Sequence, residues 1–256
     1  MRFRILGILL CGLTAVPAVA QAPKPAPSPP DETLTYDVTW SIFDAGKVTA
    51  TLQGSGSTPG DDVHARAVAR SQGFASLLFN VEDQFDSAFT SGAVCSHHIT
   101  KKINEGARHR DFEVAFDSAR RVAVLTEHDL NKPEAPPKHA ESAIPACVED
   151  VVSAFYYLRR QPLQLGQTFH VPVNDGGKTY DISVEVQARE PVQTGLGTLP
   201  AFRLEPSVFG EFYKRKGRMW VWISDDEHHY PLKVKMAISI GAITATLKSA
   251  AESPAK

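Results

Sequence analysis

Residues Leu34-Thr35-Tyr36-Asp37-Val38-Thr39-Trp40 decide the fold class. Leu34, Tyr36, Val38 and Trp40 alternate with polar residues. Successive side chains of a β-strand point to opposite faces, so a period of two makes one apolar face and one wet face. Asp44-Ala45-Gly46 reads as a turn, and Val48, Ala50 and Leu52 resume the alternation. The two runs together predict an antiparallel hairpin.

The same period recurs toward the C-terminus. Val63, Ala65, Ala67 and Ala69 alternate, and strands are expected at 83–90, 93–104, 109–117 and 120–128. Phe74 to Val81 is apolar and fits a helical turn or a strand. Asn131 to Pro145, rich in proline and charge, reads as a loop. Further strands are expected at 167–173, 179–189, 197–206, 217–223, 230–238 and 240–248, with Asn174-Asp175-Gly176-Gly177 and Ser224-Asp225-Asp226-Glu227 as turns.

One segment changes period. Val148, Val151, Val152, Phe155 and Leu158 recur at helical spacing, which predicts an amphipathic helix over Cys147 to Gln161. Acidic Glu149 or Asp150 suits its first turn, Arg159 and Arg160 suit its last, and Pro162 ends it. The expected fold is mainly β: a curved antiparallel sheet (half-barrel, barrel or sandwich) with one central helix.

Before the strands lie two segments of another kind. Arg2 and Arg4, the apolar run Ile5 to Val16, and Ala18-Val19-Ala20 have the three zones of a secretory signal peptide, with cleavage after Ala20. The run is shorter than the roughly 20 residues a membrane span needs. Cys11 follows Ile8-Leu9-Leu10 rather than the small residue that lipid attachment would need, so it reads as part of the signal. Residues 21–32 form a proline-rich tether. The remaining chain reads as one domain over 33–249 and a tail over 250–256, with no transmembrane segment and a periplasmic address.

Removing Arg2 and Arg4 takes the formal charge from −2 to −4. That field is too weak to recruit nucleic acid. Cys95 and Cys147 are the two cysteines left after cleavage, and an oxidising compartment favours their pairing. The loop-entropy relation gives such a cross-link about 4 kcal/mol as an upper figure.

Several segments together resemble a known family. Leu34 to Trp40 is followed by Ala45-Gly46, then by Asp150-Val151-Val152-Ser153-Ala154-Phe155-Tyr156-Tyr157-Leu158-Arg159. Gly195-Leu196-Gly197-Thr198 precedes Phe202-Arg203-Leu204-Glu205-Pro206, and Val221-Trp222-Ile223-Ser224-Asp225-Asp226 precedes Pro231. Their order and spacing over residues 33–248 resemble the bacterial domain of unknown function 3108. The resemblance implies an exported envelope protein of this fold class. It carries no catalytic residues.

The chemistry-bearing clusters each have a plain structural reading beside them. Asp150, Ser153 and Tyr157 share one face of the expected helix, as a ligand site or as a capping aspartate, a packing serine and a tyrosine over the sheet. His97-His98 and His228-His229 are adjacent, and adjacent strand residues face opposite ways, so neither pair readily chelates a metal. Asp225-Asp226-Glu227-His228-His229 is rich in ligand types for a hard metal, with a solvated turn as the favoured reading. No Gly-x-Ser-x-Gly elbow is present, and Gly54-Ser55-Gly56-Ser57 lacks its strand-to-helix context.

The densest basic run is Lys214-Arg215-Lys216-Gly217-Arg218, with Phe209, Phe212 and Tyr213 before it and Trp220 and Trp222 after. Cations beside aromatics suit an anionic lipid headgroup, so Tyr213, Lys214, Arg215, Lys216, Arg218 and Trp220 are the candidate ligand residues. A polar hairpin tip is the competing reading. The leading expectation is a non-catalytic periplasmic module for a lipid-like or other anionic envelope ligand, with no cofactor. The alternatives are a scaffold for an envelope protein partner, or an enzyme acting on envelope glycans or lipids.

Overall fold

The computed structural model describes residues 31–54, 62–208 and 217–253. The signal and tether up to Pro30, and Tyr213, Lys214, Arg215 and Lys216 of the basic run, lie outside the described residues.

Fourteen strands form one antiparallel sheet. They are β1 Asp31–Trp40, β2 Phe43–Gly54, β3 Asp62–Ser71, β4 Glu82–Thr90, β5 Ser96–Glu105, β6 Arg108–Asp117 and β7 Val122–Asp129. Then come β8 Lys138–Ala143, β9 Thr168–Asp175, β10 Lys178–Thr194, β11 Gly197–Pro206, β12 Gly217–Ser224, β13 Pro231–Ile238 and β14 Gly241–Ser253. Two short helices interrupt them, α1 Gly73–Leu78 and α2 Ser153–Arg159. The order is two meanders, β8 back to β1 and β14 back to β9, joined where β1 pairs with β14. Asp31, Glu32 and residues 250–253 belong to that central pair, so it reaches past the expected tether and tail boundaries.

The sheet curls but its ladder does not close. Side-chain donors bridge the gap instead: Asn174 Nδ2 of β9 donates to Ser142 Oγ of β8 (3.1 Å), and Thr179 Oγ1 at the start of β10 donates to the Ala143 carbonyl of β8 (3.1 Å). Glu149 adds a parallel bridge to β9, donating its N–H to Pro172 O (2.8 Å) and accepting from Asn174 N (2.8 Å). Both edges are thereby occupied, which blunts the aggregation hazard of free strands.

Three sequence expectations need correction. The first hairpin turns at Ser41-Ile42, not at Asp44 to Gly46, because Ser41 takes a positive φ of 56° and donates its N–H to Ala242 O. Gly46 lies inside β2, where a Cβ would collide with the Arg70 carbonyl of β3. The 131–145 loop contains β8, a short edge strand carrying Lys138, His139 and Glu141, whose charge masks its period.

The expected helix is also shorter, starting at Ser153 rather than Cys147. Glu149 spends its backbone on β9, so it cannot join a helix. Asp150 Oδ1 accepts from Val152 N (2.7 Å) and Ser153 N (3.0 Å), the bonds that open the first turn. The segment Phe74 to Val81 contributes α1, a second helix with no buried residue.

Helix α2 fills one end of the curl. Leu158 packs with Phe169, Val184, Leu204, Val221 and Ile223, and Tyr156 and Tyr157 reach the cluster of Leu52, Val63 and Phe89. Arg159 binds Glu32 at the start of β1, and Arg160 donates to the Ser91 and Gly92 carbonyls after β4. These anchors all sit at the same ends of their strands. That end is plugged, and the opposite strand ends carry the β1–β2 turn, α1 and the β13–β14 turn.

Candidate functional site

On the face that meets α2, the register aligns two apolar rows across four strands. Val221, Val234, Ala245 and Val38 form one row, and Met219, Met236, Ile243 and Trp40 the next. Val221 is fully buried beneath α2, and the others are only partly covered. Met219 and Val234 touch the α2 cluster, so the rows run on from the core toward the unplugged end. Side chains beyond the reach of the helix thus leave an apolar floor on the concave face.

The opposite side of the concavity is polar. Lys101 of β5 is buried, forms an ion pair with Asp175 at the end of β9, and lies 5.0 Å from the centroid of the Phe112 ring. Asp83 on β4 is also buried and accepts from Asn104 N (2.8 Å); burial pushes its carboxyl up to about 6. An apolar floor faced by a polar wall has the character of a site for an amphiphile.

Of the sequence-predicted ligand residues, Arg218 and Trp220 are described. They alternate with Met219 and Val221, and so stand on the outer face, away from the floor. The Arg218 guanidinium lies 4.8 Å from the Trp220 ring centroid, and Lys235 Nζ lies 5.9 Å from it on the other strand. Lys233 sits 5.0 Å over Trp222. Arg218 also binds Glu205 through Nε (2.6 Å) and Nη2 (2.5 Å), which holds the Glu205 carboxyl below its ordinary range. This outer ladder pairs cations with aromatic faces, and Arg218 already has a carboxylate.

The helix cluster forms a buried network. Asp150 is wholly buried, and its carboxylate accepts from Ser87 Oγ (2.6 Å), Ser96 Oγ (2.9 Å) and the Val152 and Ser153 amides. Burial pushes its carboxyl up, against the pull of those four donors. Ser153 Oγ donates to Glu149 Oε2 (2.9 Å), and burial raises the Glu149 carboxyl to about 8. Two adjacent carboxyls without a cation are tolerable when one holds its proton. Both are sealed from solvent, so they organise the entry to α2 rather than face a substrate.

The histidines divide among separate partners. His97 Nδ1 is 2.7 Å from Asp62 and His98 Nε2 is 3.0 Å from Glu113. His228 stacks on Tyr230, and His229 Nδ1 donates to the Arg159 carbonyl (2.6 Å). The turn before β13 closes on Asp226, which accepts from Ser224 Oγ, His228 N and His229 N. Among the described residues no group of three His, Cys, Asp or Glu is arranged to hold a metal ion.

Cys95 and Cys147 stand at disulfide distance, their sulfurs 2.00 Å apart. The bond ties the β4–β5 connection to the segment that enters α2. Beside it a cleft of about 330 Å³ is lined by Cys95, Ser96, His97, Ser118, Ile144 and Val148.

Exposed apolar groups gather at the unplugged end. Ile42 is 87% exposed, Leu77 82% and Ile240 69%, with Phe43, Phe74 and Leu78 beside them in the same connections. Hydrogen bonds knit these connections together: Trp40 Nε1 donates to Ile240 O (3.0 Å), Ser41 N to Ala242 O and Gln72 N to Ala45 O. Sequence reading missed the floor and this rim. Strand alternation does mark Val38, Ala245 and Val234 as inward, but only register reveals that they align and extend past the helix.

A family model described as protein of unknown function (DUF3108) matches residues 35–248. None of the curated proteins matches this chain. A solved structure described as a beta-barrel-like protein of domain of unknown function DUF1849 from Brucella abortus is similar in fold. Its TM-score is 0.58 at 9% identity, over 88% of this chain and 98% of that one. No helix among the described residues is long and apolar enough to cross a membrane.

Proposed function

We propose that this chain, which belongs to the DUF3108 family, is an exported, non-catalytic module holding a lipid-like envelope ligand on the concave face of its sheet. The observation that carries this reading is the pair of register-aligned apolar rows left partly uncovered by α2. Apolar area of that kind gains roughly 25 cal/mol per Å² when a ligand covers it. The Lys101–Asp175 wall supplies polar groups for the ligand's other end. The outer cation–aromatic ladder supports contact with anionic headgroups at a second surface.

The export part of the proposal rests on the signal-like N-terminus and on a cysteine pair suited to an oxidising compartment. Scaffolding through a sheet edge has less support, since β8 accepts from Asn174 and Thr179 and β9 is bridged by Glu149. An enzyme has less support because the paired carboxyls are sealed.

Native mass spectrometry of the gently purified chain, with displacement of a fluorescent fatty acid, tests the reading. A co-purified lipid that the fatty acid displaces supports it. Absence of both co-purified lipid and fatty-acid binding overturns it.

A further inference from the structure

We propose that the unplugged rim seats the protein on a lipid bilayer surface, so that the concave floor opens toward the membrane. This deepens the lipid reading above and rests on it. Six large apolar side chains, Ile42, Phe43, Phe74, Leu77, Leu78 and Ile240, stand exposed at this one end, on three connections that are adjacent in the sheet. Exposed apolar residues scattered singly need no explanation, but a gathered set marks an interaction surface.

The form of the set favours a lipid surface over a protein face. Each connection carries its apolar residues near its tip with polar residues close by in the chain: Asp44 after Phe43, Ser239 before Ile240, Ser71 and Gln72 shortly before Phe74. The apolar layer is therefore shallow, as an interfacial anchor requires. Helix α1 buries none of its residues and carries no charge, and its Phe74, Leu77 and Leu78 side chains stay exposed. Behind the tip of the β1–β2 turn the exposed charges are Asp44 and Lys47, of opposite sign, so the layer behind the apolar residues is polar. Trp40 joins the two surfaces: it ends the second apolar row and hydrogen-bonds Ile240 at the rim. The Trp40 ring thus stands between the rim and the floor.

Co-sedimentation of the full exported chain with phosphatidylethanolamine–phosphatidylglycerol vesicles tests this, beside Ile42→Ser/Leu77→Ser/Ile240→Ser. The substituted positions are exposed, and circular dichroism checks that the variant folds. The variant is expected to lose about tenfold or more in vesicle binding while binding fluorescent fatty acid as the parent does. Vesicle binding equal to the parent's overturns the rim proposal and leaves the floor reading standing. Vesicle binding without any fatty-acid binding overturns the floor reading instead. A parent that self-associates in sedimentation, with the variant monomeric and vesicle binding absent in both, assigns the rim to a second copy and overturns the membrane.

Discussion

Arg159 grips Glu32 through two parallel hydrogen bonds, Nη1 to Oε1 at 2.8 Å and Nη2 to Oε2 at 2.6 Å, joining the last residue of α2 to the second residue of β1. Glu32 is 4% exposed. The guanidinium lies 5.3 Å from the Tyr156 ring centroid and 5.6 Å from that of Tyr230. Burial pushes the hydroxyls of Tyr36 and Tyr156 far above the ordinary tyrosine range, so they stay neutral around the pair.

Breaking such a pair from one side leaves a buried charge, which costs about 3–5 kcal/mol. Glu32→Gln and Arg159→Met are each expected to lower the urea midpoint by that much stability. Glu32→Leu/Arg159→Met removes both charges and is expected to recover most of the loss. Urea titration followed by tryptophan fluorescence reads all three. Single variants as stable as the parent would show that the pair does not hold α2 in place.

A pH dependence follows from Glu149. Its carboxyl is raised to about 8 from an ordinary 4.5, with burial as the largest cause. The folded state therefore holds a proton that the unfolded chain has released. Stability from this group is full below about pH 4.5, falls as pH rises, and levels off above about pH 8. Glu149→Gln keeps an acceptor for Ser153 and removes the titration. Parent and variant are expected to unfold alike near pH 4.5, with the variant more stable at pH 9 by on the order of 1–3 kcal/mol. Parallel pH-dependent curves for the two proteins would rule the mechanism out.

The β-rich class and the strand positions were legible because alternation is local: Leu34, Tyr36 and Val38 declare their face without reference to anything distant. What stayed hidden depends on other strands. Nothing near Glu149 in sequence says that its backbone will bridge to β9, so helical periodicity ran on to Cys147 until pairing truncated it. β8 was masked because an edge strand needs only one partner and tolerates charge. The aromatic–cation signal around Trp220 was real, and Arg218 and Lys235 do flank that ring, but alternation alone left open which face of the sheet they occupy. The concave floor required register across four strands, which no single window contains.

The floor can be closed without disturbing the plugged end. Ala245 lies between Val38 and Val234 in its row and is only partly covered. Ala245→Phe extends a ring into the uncovered space, where overpacking strain is small because the site is open. Thermal stability is expected to stay within a few degrees of the parent, while fatty-acid affinity falls about tenfold or more, the loss of about 1.4 kcal/mol. Calorimetry and fluorescence displacement read the two separately. Unchanged affinity in a folded variant would move the ligand off this floor.

The disulfide secures the opposite end, and its removal should be felt there first. Cys95 and Cys147 are 52 residues apart, which sets an upper figure of about 4 kcal/mol for the lost cross-link. The loss should be smaller in practice, since Ser96 N still donates to Val148 O (2.9 Å) and Asp150 still binds Ser87 and Ser96. Cys95→Ser/Cys147→Ser is therefore expected to remain folded and lose about 2–4 kcal/mol. Hydrogen exchange should rise in residues 144–152 and 91–96 before it rises in the central pair β1 and β14. Both cysteines are only partly buried and line or adjoin the 330 Å³ cleft, so a small thiol should reduce the bond in the native protein. Uniform exchange across the sheet on reduction would mean that the bond stabilises the whole curl rather than the segment leading into α2.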